Sequence, residues 1–337
     1  MKILFVAADF GGSSWYRIIQ PAGLCTEIYE DSKWSLPNRL PIQYLKETDM
    51  VVIQRQAHEV AFKSTERLLK LNKVIVSEID DNLWSIPSNT PAMSKFWTKE
   101  LIKGFEKILK MSHAITVSTP RLGKIVKEFN ENVYVLPNLV VFDRDYLKPN
   151  FGKIRIGWSG SDTHLSDFTE DIQQALLDIK EQYKDKVDIF MFGAVPPLLF
   201  TKVSFYPFVQ PQAYLKTLQS LGLDIGLVVN RDNAFNSCRS ALKFVEYSSV
   251  GAVTIANNVD SYRDSIQNGV NGFLIKKSTR KAWFNTIRDL IEDRDLHFKV
   301  SDNAYNYCYK KYSVQENKGQ YQVYGEILNK VQENVRL

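Results

Sequence analysis

Two cations and a carboxylate are packed closely in residues 236–251, N-S-C-R-S-A-L-K-F-V-E-Y-S-S-V-G. The stretch reads as a helix beginning between Ser237 and Ser240, either of which can accept a bond from the first free N–H groups. At about 100° per residue, Arg239, Lys243 and Glu246 share one face, with Ala241, Phe244, Val245 and Ser248 opposite. Such a face suits a sugar nucleotide. Cations and helix-start N–H groups meet a diphosphate, and the carboxylate meets ribose or sugar hydroxyls. The plainer alternative is a surface helix whose Lys243 and Glu246 form an exposed i,i+3 pair.

Three further groups carry polar chemistry. Glu78, Asp80 and Asp81 follow an apolar run at 73–77, where open α/β sheets bind ligands. They can serve as base, hydroxyl acceptor or metal ligand, or Asp80 and Asp81 can simply cap a turn. Gly11 and Gly12 follow the first apolar run, with Arg17 near the start of the next helix; that Arg equally reads as a solvated side chain. The two glycines let the backbone approach a ligand, but they do not form G-x-G-x-x-G. Residues 157–164, G-W-S-G-S-D-T-H, offer Ser159, Gly160, Ser161 and Thr163 as a small phosphate-cradling loop. His164 closes that loop and can donate to a leaving oxygen, although a lone His is more often structural. Trp158 is open to core packing or ligand contact.

The elements that must hold these groups alternate. Apolar runs at 2–8, 49–53, 73–77, 114–118 and 133–136 read as strands, with helices at 15–30, 59–71, 95–111 and 120–129 between them. Residues 144–153, with Pro149, Asn150 and Gly152, read as a linker. A second series follows: strands at 154–158, 187–192, 203–206, 224–229, 252–256 and 273–275, and helices at 169–183, 211–221, 261–267, 280–292 and 296–310. A last helix spans 313–335. This is an α/β chain of two Rossmann-like, doubly wound parallel-sheet domains with a C-terminal helix. The expected divisions are 1–148, 152–312 and a tail, 313–337, packing back on the first domain.

The bulk numbers agree. A chain of 337 residues exceeds one typical core, and 44% hydrophobic with 24% charged residues is ordinary for a globular protein. The net charge of +5 permits an anionic ligand without demanding nucleic acid. Cys25, Cys238 and Cys308 are odd in number and widely spaced, which argues against a disulfide framework or zinc site. The first apolar run is too short for a signal peptide and nothing spans a membrane, so a cytoplasmic location is expected.

The ordered phrases resemble a known family. Residues 246–256, E-Y-S-S-V-G-A-V-T-I-A, are similar to E-A-x-A-x-G-x-P-V-I-A of the family-4 retaining glycosyltransferases of GT-B fold. Residues 268–274, N-G-V-N-G-F-L, resemble the N-G-x-x-G-x-L turn, and V-L-P-N at 135–138 resembles V-I-P-N before the domain junction. The resemblance implies that Glu246 is the second glutamate of an E-x7-E signature and binds the donor ribose. The first would fall at Cys238, a departure that leaves the sugar to Asn236, Ser237 and main-chain groups. The G-R-x-x-x-x-K phosphate phrase also departs, with Trp158 at its arginine position, so the charge falls to Arg239 and Lys243.

The implied activity is transfer of a sugar from a nucleotide-diphosphate donor to an acceptor hydroxyl, with retention and without a required metal or other cofactor. Gly11, Gly12, Arg17 and Glu78 would border the acceptor, and Asp80 or Asp81 would bind or help deprotonate it. The acceptor would be a glycan, a glycoconjugate or a lipid-linked sugar, the last with peripheral membrane contact. Rival readings are an acceptor that is a modified DNA base, a nucleotide-sugar epimerase, and an inactive nucleotide-sugar-binding protein.

Overall fold

The computed structural model describes residues 1–88, 90–143 and 152–336. Residues 144–151 of the expected linker lie outside them.

Two six-stranded parallel sheets form the frame. The first contains β1 (Lys2–Val6), β2 (Asp31–Ser35), β3 (Met50–Gln54), β4 (Val74–Ile79), β5 (Ala114–Val117) and β6 (Val133–Val135), in the order β2-β1-β3-β4-β5-β6. The second contains β7 (Ile154–Ser159), β8 (Val187–Phe192), β9 (Ser204–Tyr206), β10 (Ile225–Val228), β11 (Val253–Asn257) and β12 (Phe273–Ile275), in the order β12-β11-β10-β7-β8-β9. Strands β3, β4, β5, β10 and β11 are buried along their whole length, because helices cover both faces. That burial is the reason for their unbroken apolar runs. Strand order reverses between β1 and β3 in the first sheet and between β7 and β10 in the second. Crevices open at these two places, outside the carboxyl ends of the strands.

Several helices differ from the sequence-based expectation. The first runs over Gly12–Ser14, Trp15–Ile19 and Gln20–Cys25, and its middle section is π-helical. The expected helix 95–111 is divided into Pro91–Phe96 and Lys99–Met111, with Thr98 capping the second through a bond from Leu101 N. The tail is a short helix, Val314–Asn317, a tight turn, and the helix Val323–Arg336. That tail lies on the first domain. Tyr324 meets Phe5 edge to face at 5.5 Å, and Tyr29 donates to the carbonyl of Tyr321 at 2.7 Å.

Behind the second crevice, Tyr247 ties three elements together. Its hydroxyl accepts from Ser159 N at 3.0 Å and donates to Leu227 O at 3.3 Å. A Cβ on Gly226 would stand 2.4 Å from the Tyr247 ring, so only glycine lets the helix Leu242–Ser249, which carries Tyr247, settle on β10.

Candidate functional site

A cleft of about 730 Å³ lies between the two domains at their crevices. Its walls include Gly11, Gly12, Asp80 and Asp81 from the first domain. From the second come Trp158, Ser159, Gly160, Ser161, His164, Arg239, Ser240, Lys243 and Glu246. Most of the residues singled out in the sequence therefore face one space.

The wall that carries the cations is not one helix. A short helix, Ala234–Ser237, is capped by Asn233 accepting from Asn236 N, and the main helix begins only at Leu242 and ends at Ser249. Neither Ser237 nor Ser240 caps it. First-domain side chains hold the break in place. Thr119 donates to Cys238 O at 2.7 Å, Asn138 donates to Ser240 Oγ at 2.9 Å, and Asn82 contacts Cys238 Sγ at 3.7 Å. Cys238 is buried among first-domain apolar residues such as Leu83 and Val117, away from the cleft. Asn236 and Ser237 also correct the expectation of a sugar contact. Asn236 Nδ2 donates to Arg231 O at 2.8 Å and Ser237 Oγ to Ala234 O at 3.1 Å, and neither lines the cleft.

Lys243 and Glu246 do pair, at 2.8 Å, but not on an exposed surface: Glu246 is only 2% exposed. Tyr16, from the first domain's π-helical turn, donates to Glu246 Oε1 at 2.8 Å. Lys243 Nζ also reaches the Tyr214 hydroxyl at 2.9 Å and Ser159 Oγ at 3.4 Å. Burial first, and then the charge of Glu246, push the phenols of Tyr16 and Tyr214 well above the ordinary tyrosine range, so both remain protonated. The result is an ammonium, a carboxylate and two phenols arranged around the end of β7.

The loop after β7 is stiff. Trp158 is buried and packs edge to face on Phe168 at 5.0 Å. A Cβ on Gly160 would come within 2.4 Å of the Trp158 ring, which accounts for the glycine in W-S-G-S. Ser161 and Thr163 hydroxyls bond at 2.6 Å, so Thr163 supports the loop from outside the cleft wall. His164 is pushed down to about 3 by burial and then by Arg239 and Lys243. At neutral pH it is an uncharged imidazole, able to donate one N–H but unable to act as a cationic acid.

The first-domain wall is acidic and compensated. Arg55 stands 3.7 Å from Asp81, 4.0 Å from Asp80 and 3.6 Å from Asp9, while Arg239 reaches Asp81 at 3.6 Å from the other domain. Arg55 adopts a left-handed backbone, φ 48°, an uncommon conformation for a non-glycine residue. Burial, followed by the charge of Asp80, raises Asp81 from its ordinary value. Among the described residues no group of three or more His, Cys, Asp or Glu side chains is arranged to hold a metal ion.

Arg17 and Glu78 are corrections. Both were expected at the acceptor, and both turn inward: Arg17 is 4% and Glu78 0% exposed, with Arg17 Nε donating to Glu78 Oε1 at 2.6 Å. Arg17 also bonds Asn138 Oδ1 at 2.9 Å and Leu136 O. Burial pushes Glu78 up to about 7 against the pull of Arg17. Sequence reading also missed Tyr16, Tyr214 and Arg55. An isolated Arg after a strand carries no signal of its partners, and neither tyrosine sits in a recognisable phrase.

Chains of known structure share this fold. HepE from Anabaena, in complex with UDP and glucose, superimposes with a TM-score of 0.67 at 15% identity, covering 98% of this chain and 100% of that one. Sucrose-phosphate synthase from Thermosynechococcus elongatus gives 0.67 at 12% identity, over 99% and 100% of the chains. A glycosyltransferase from Rickettsia africae gives 0.64 at 13% identity, over 99% of each. The chain has the GT-B fold. Within that GT-B frame, residues 240–307 match the family model for glycosyl transferases group 1. The matched segment begins at Ser240 and contains Lys243 and Glu246. No curated protein sequence matches the chain. Among the described residues no helix is long and apolar enough to cross a membrane.

Proposed function

We propose that this GT-B protein is a glycosyltransferase that takes a sugar from a nucleoside-diphosphate donor and passes it, with retention, to a hydroxyl of a glycan or glycoconjugate. One observation carries the reading. Arg239, Lys243 and Glu246 converge in the interdomain cleft, beside the carboxyl ends of β7 and β10, where strand order reverses. UDP is the first nucleotide to test, given the UDP and UDP-glucose bound in the HepE structures.

In this reading Arg239 and Lys243 face the diphosphate, helped by the Ser159–Ser161 backbone, and Glu246 accepts from ribose hydroxyls. Breaking the sugar–phosphate bond leaves negative charge on the departing phosphate. Cations fixed beforehand by Asp81, Tyr214 and Glu246 stabilise that charge without having to reorganise. Neutral His164 contributes an N–H and no proton. Asp80 and Asp81 stand on the opposite wall, in place to accept from the attacking hydroxyl. No metal ion is needed in this scheme, because the diphosphate charge is met by side chains.

A thermal-shift panel of UDP, GDP, TDP and CMP, followed by mass detection of donor hydrolysis, tests it. A shift with one nucleoside diphosphate and release of free sugar from the matching donor are expected. No shift with any of them would refute the reading.

A further inference from the structure

At the acidic end of the cleft a large aromatic ring is held in the open. Phe10 is 49% exposed and lines the cleft, in the loop between β1 and the first helix. A single exposed apolar residue is unremarkable, but this one is fixed. The Asp9 carboxylate accepts from Gly11 N at 2.7 Å and Ser14 Oγ at 2.8 Å, which locks the turn carrying Phe10. Trp34, at the carboxyl end of edge strand β2 and 37% exposed, meets the Phe10 ring edge to face at 5.7 Å.

Beside the ring stands a polar network. Gln54 Nε2 donates to Ser13 Oγ at 3.1 Å, and Ser13 Oγ donates to Asp80 Oδ2. The other oxygen of Asp80 is buried and accepts no hydrogen bond among the described residues; its nearest cation, Arg55, is 4.0 Å away. An apolar face next to the Ser13 hydroxyl and the Asp80 carboxylate on one cleft wall matches a pyranose ring, which offers C–H groups on one face and hydroxyls at its edge.

The charge distribution selects among acceptors. Lys243 lies at the second-domain end, whereas at the Phe10 end the three carboxylates Asp9, Asp80 and Asp81 meet two cations, Arg55 and, from the other domain, Arg239, which leaves that wall net negative. A phosphodiester chain would be repelled there, while a neutral hydroxyl donor would be held. We propose that Phe10, braced by Trp34, is the platform on which a neutral sugar ring of the acceptor stacks, with the Ser13 and Asp80 side chains of the same wall beside it. This rests on reading the cleft as a glycosyltransferase site, and it makes the acceptor a carbohydrate.

Saturation-transfer NMR on the full chain loaded with UDP tests this, using methyl glucoside, maltose, cellobiose and the methyl glycoside of N-acetylglucosamine as probes, and duplex DNA as a competitor. The ring protons of at least one sugar should receive saturation in the wild type and in Phe10→Tyr. Phe10→Ala should bind that sugar roughly fivefold or more weakly, with UDP affinity unchanged. If wild type binds UDP but none of the sugars, if Phe10→Ala binds them as well as wild type, or if duplex DNA displaces them, the platform is overturned. Absence of UDP binding by the wild type would overturn the donor site, and this subsite with it.

Discussion

Tyr16 of the first domain donates its hydroxyl to Glu246 of the second at 2.8 Å. The bond joins a π-helical turn, a feature frequent at functional sites, to the carboxylate assigned to ribose. With Lys243 on the other carboxylate oxygen, it fixes Glu246 across the domain boundary. Tyr16→Phe should weaken UDP binding roughly fivefold, the equivalent of ~1 kcal/mol, and lower the melting temperature by only a few degrees. Titration calorimetry on the two proteins decides it; equal affinities would make the bond purely structural.

Arg239 and Lys243 carry the charge in the proposed reaction. Arg239→Ala and Lys243→Ala should each lower kcat/KM for the donor by roughly 10²-fold, as loss of one preorganised charge contact does. Lys243→Ala should also lose stability, because it leaves buried Glu246 with Tyr16 but no cation. Near-normal kinetics in both single variants would contradict the phosphate assignment.

Arg17 and Glu78 separate stability from chemistry. Arg17→Ala leaves a buried carboxyl without its partner and frees Asn138, which anchors Ser240. The expected cost is about 3 to 5 kcal/mol in urea unfolding. Donor kinetics measured well below the melting temperature should change far less than in Arg239→Ala.

His164 gives a pH test. Its folded value near 3 lies below the ordinary 6.5, so the unfolded chain binds more protons between those values. Stability contributed by keeping the imidazole neutral is complete above about pH 6.5 and declines as pH falls through that window. Wild-type stability should therefore drop more than that of His164→Asn between about pH 7 and pH 5. Parallel slopes in urea unfolding would contradict the neutral imidazole.

The frame was legible because buried parallel strands write themselves as apolar runs. Strand β2 was not, since D-S-K-W-S is an edge strand paired only with β1 and carries no apolar run. The cleft residues Arg239, Lys243 and Glu246 were found on a helical face that does not exist as drawn. The backbone breaks between Ser237 and Leu242, and side chains of the other domain hold the break. Local propensity in S-C-R-S-A gives no hint of those anchors. Arg17 and Glu78 turn away from the cleft as a buried pair bonded to each other, which in sequence looks like two solvated residues. Tyr16 was invisible because its partner, Glu246, lies in the other domain.

The most direct test of the donor site is calorimetric titration of UDP and GDP into wild type, Glu246→Ala and Arg239→Ala. The wild type should bind one of the two at a single site, and each variant should bind at least roughly tenfold more weakly while still folded, as loss of a charge-assisted contact implies. Wild-type affinity in both variants, or no binding of either nucleotide by the wild type, would contradict the account.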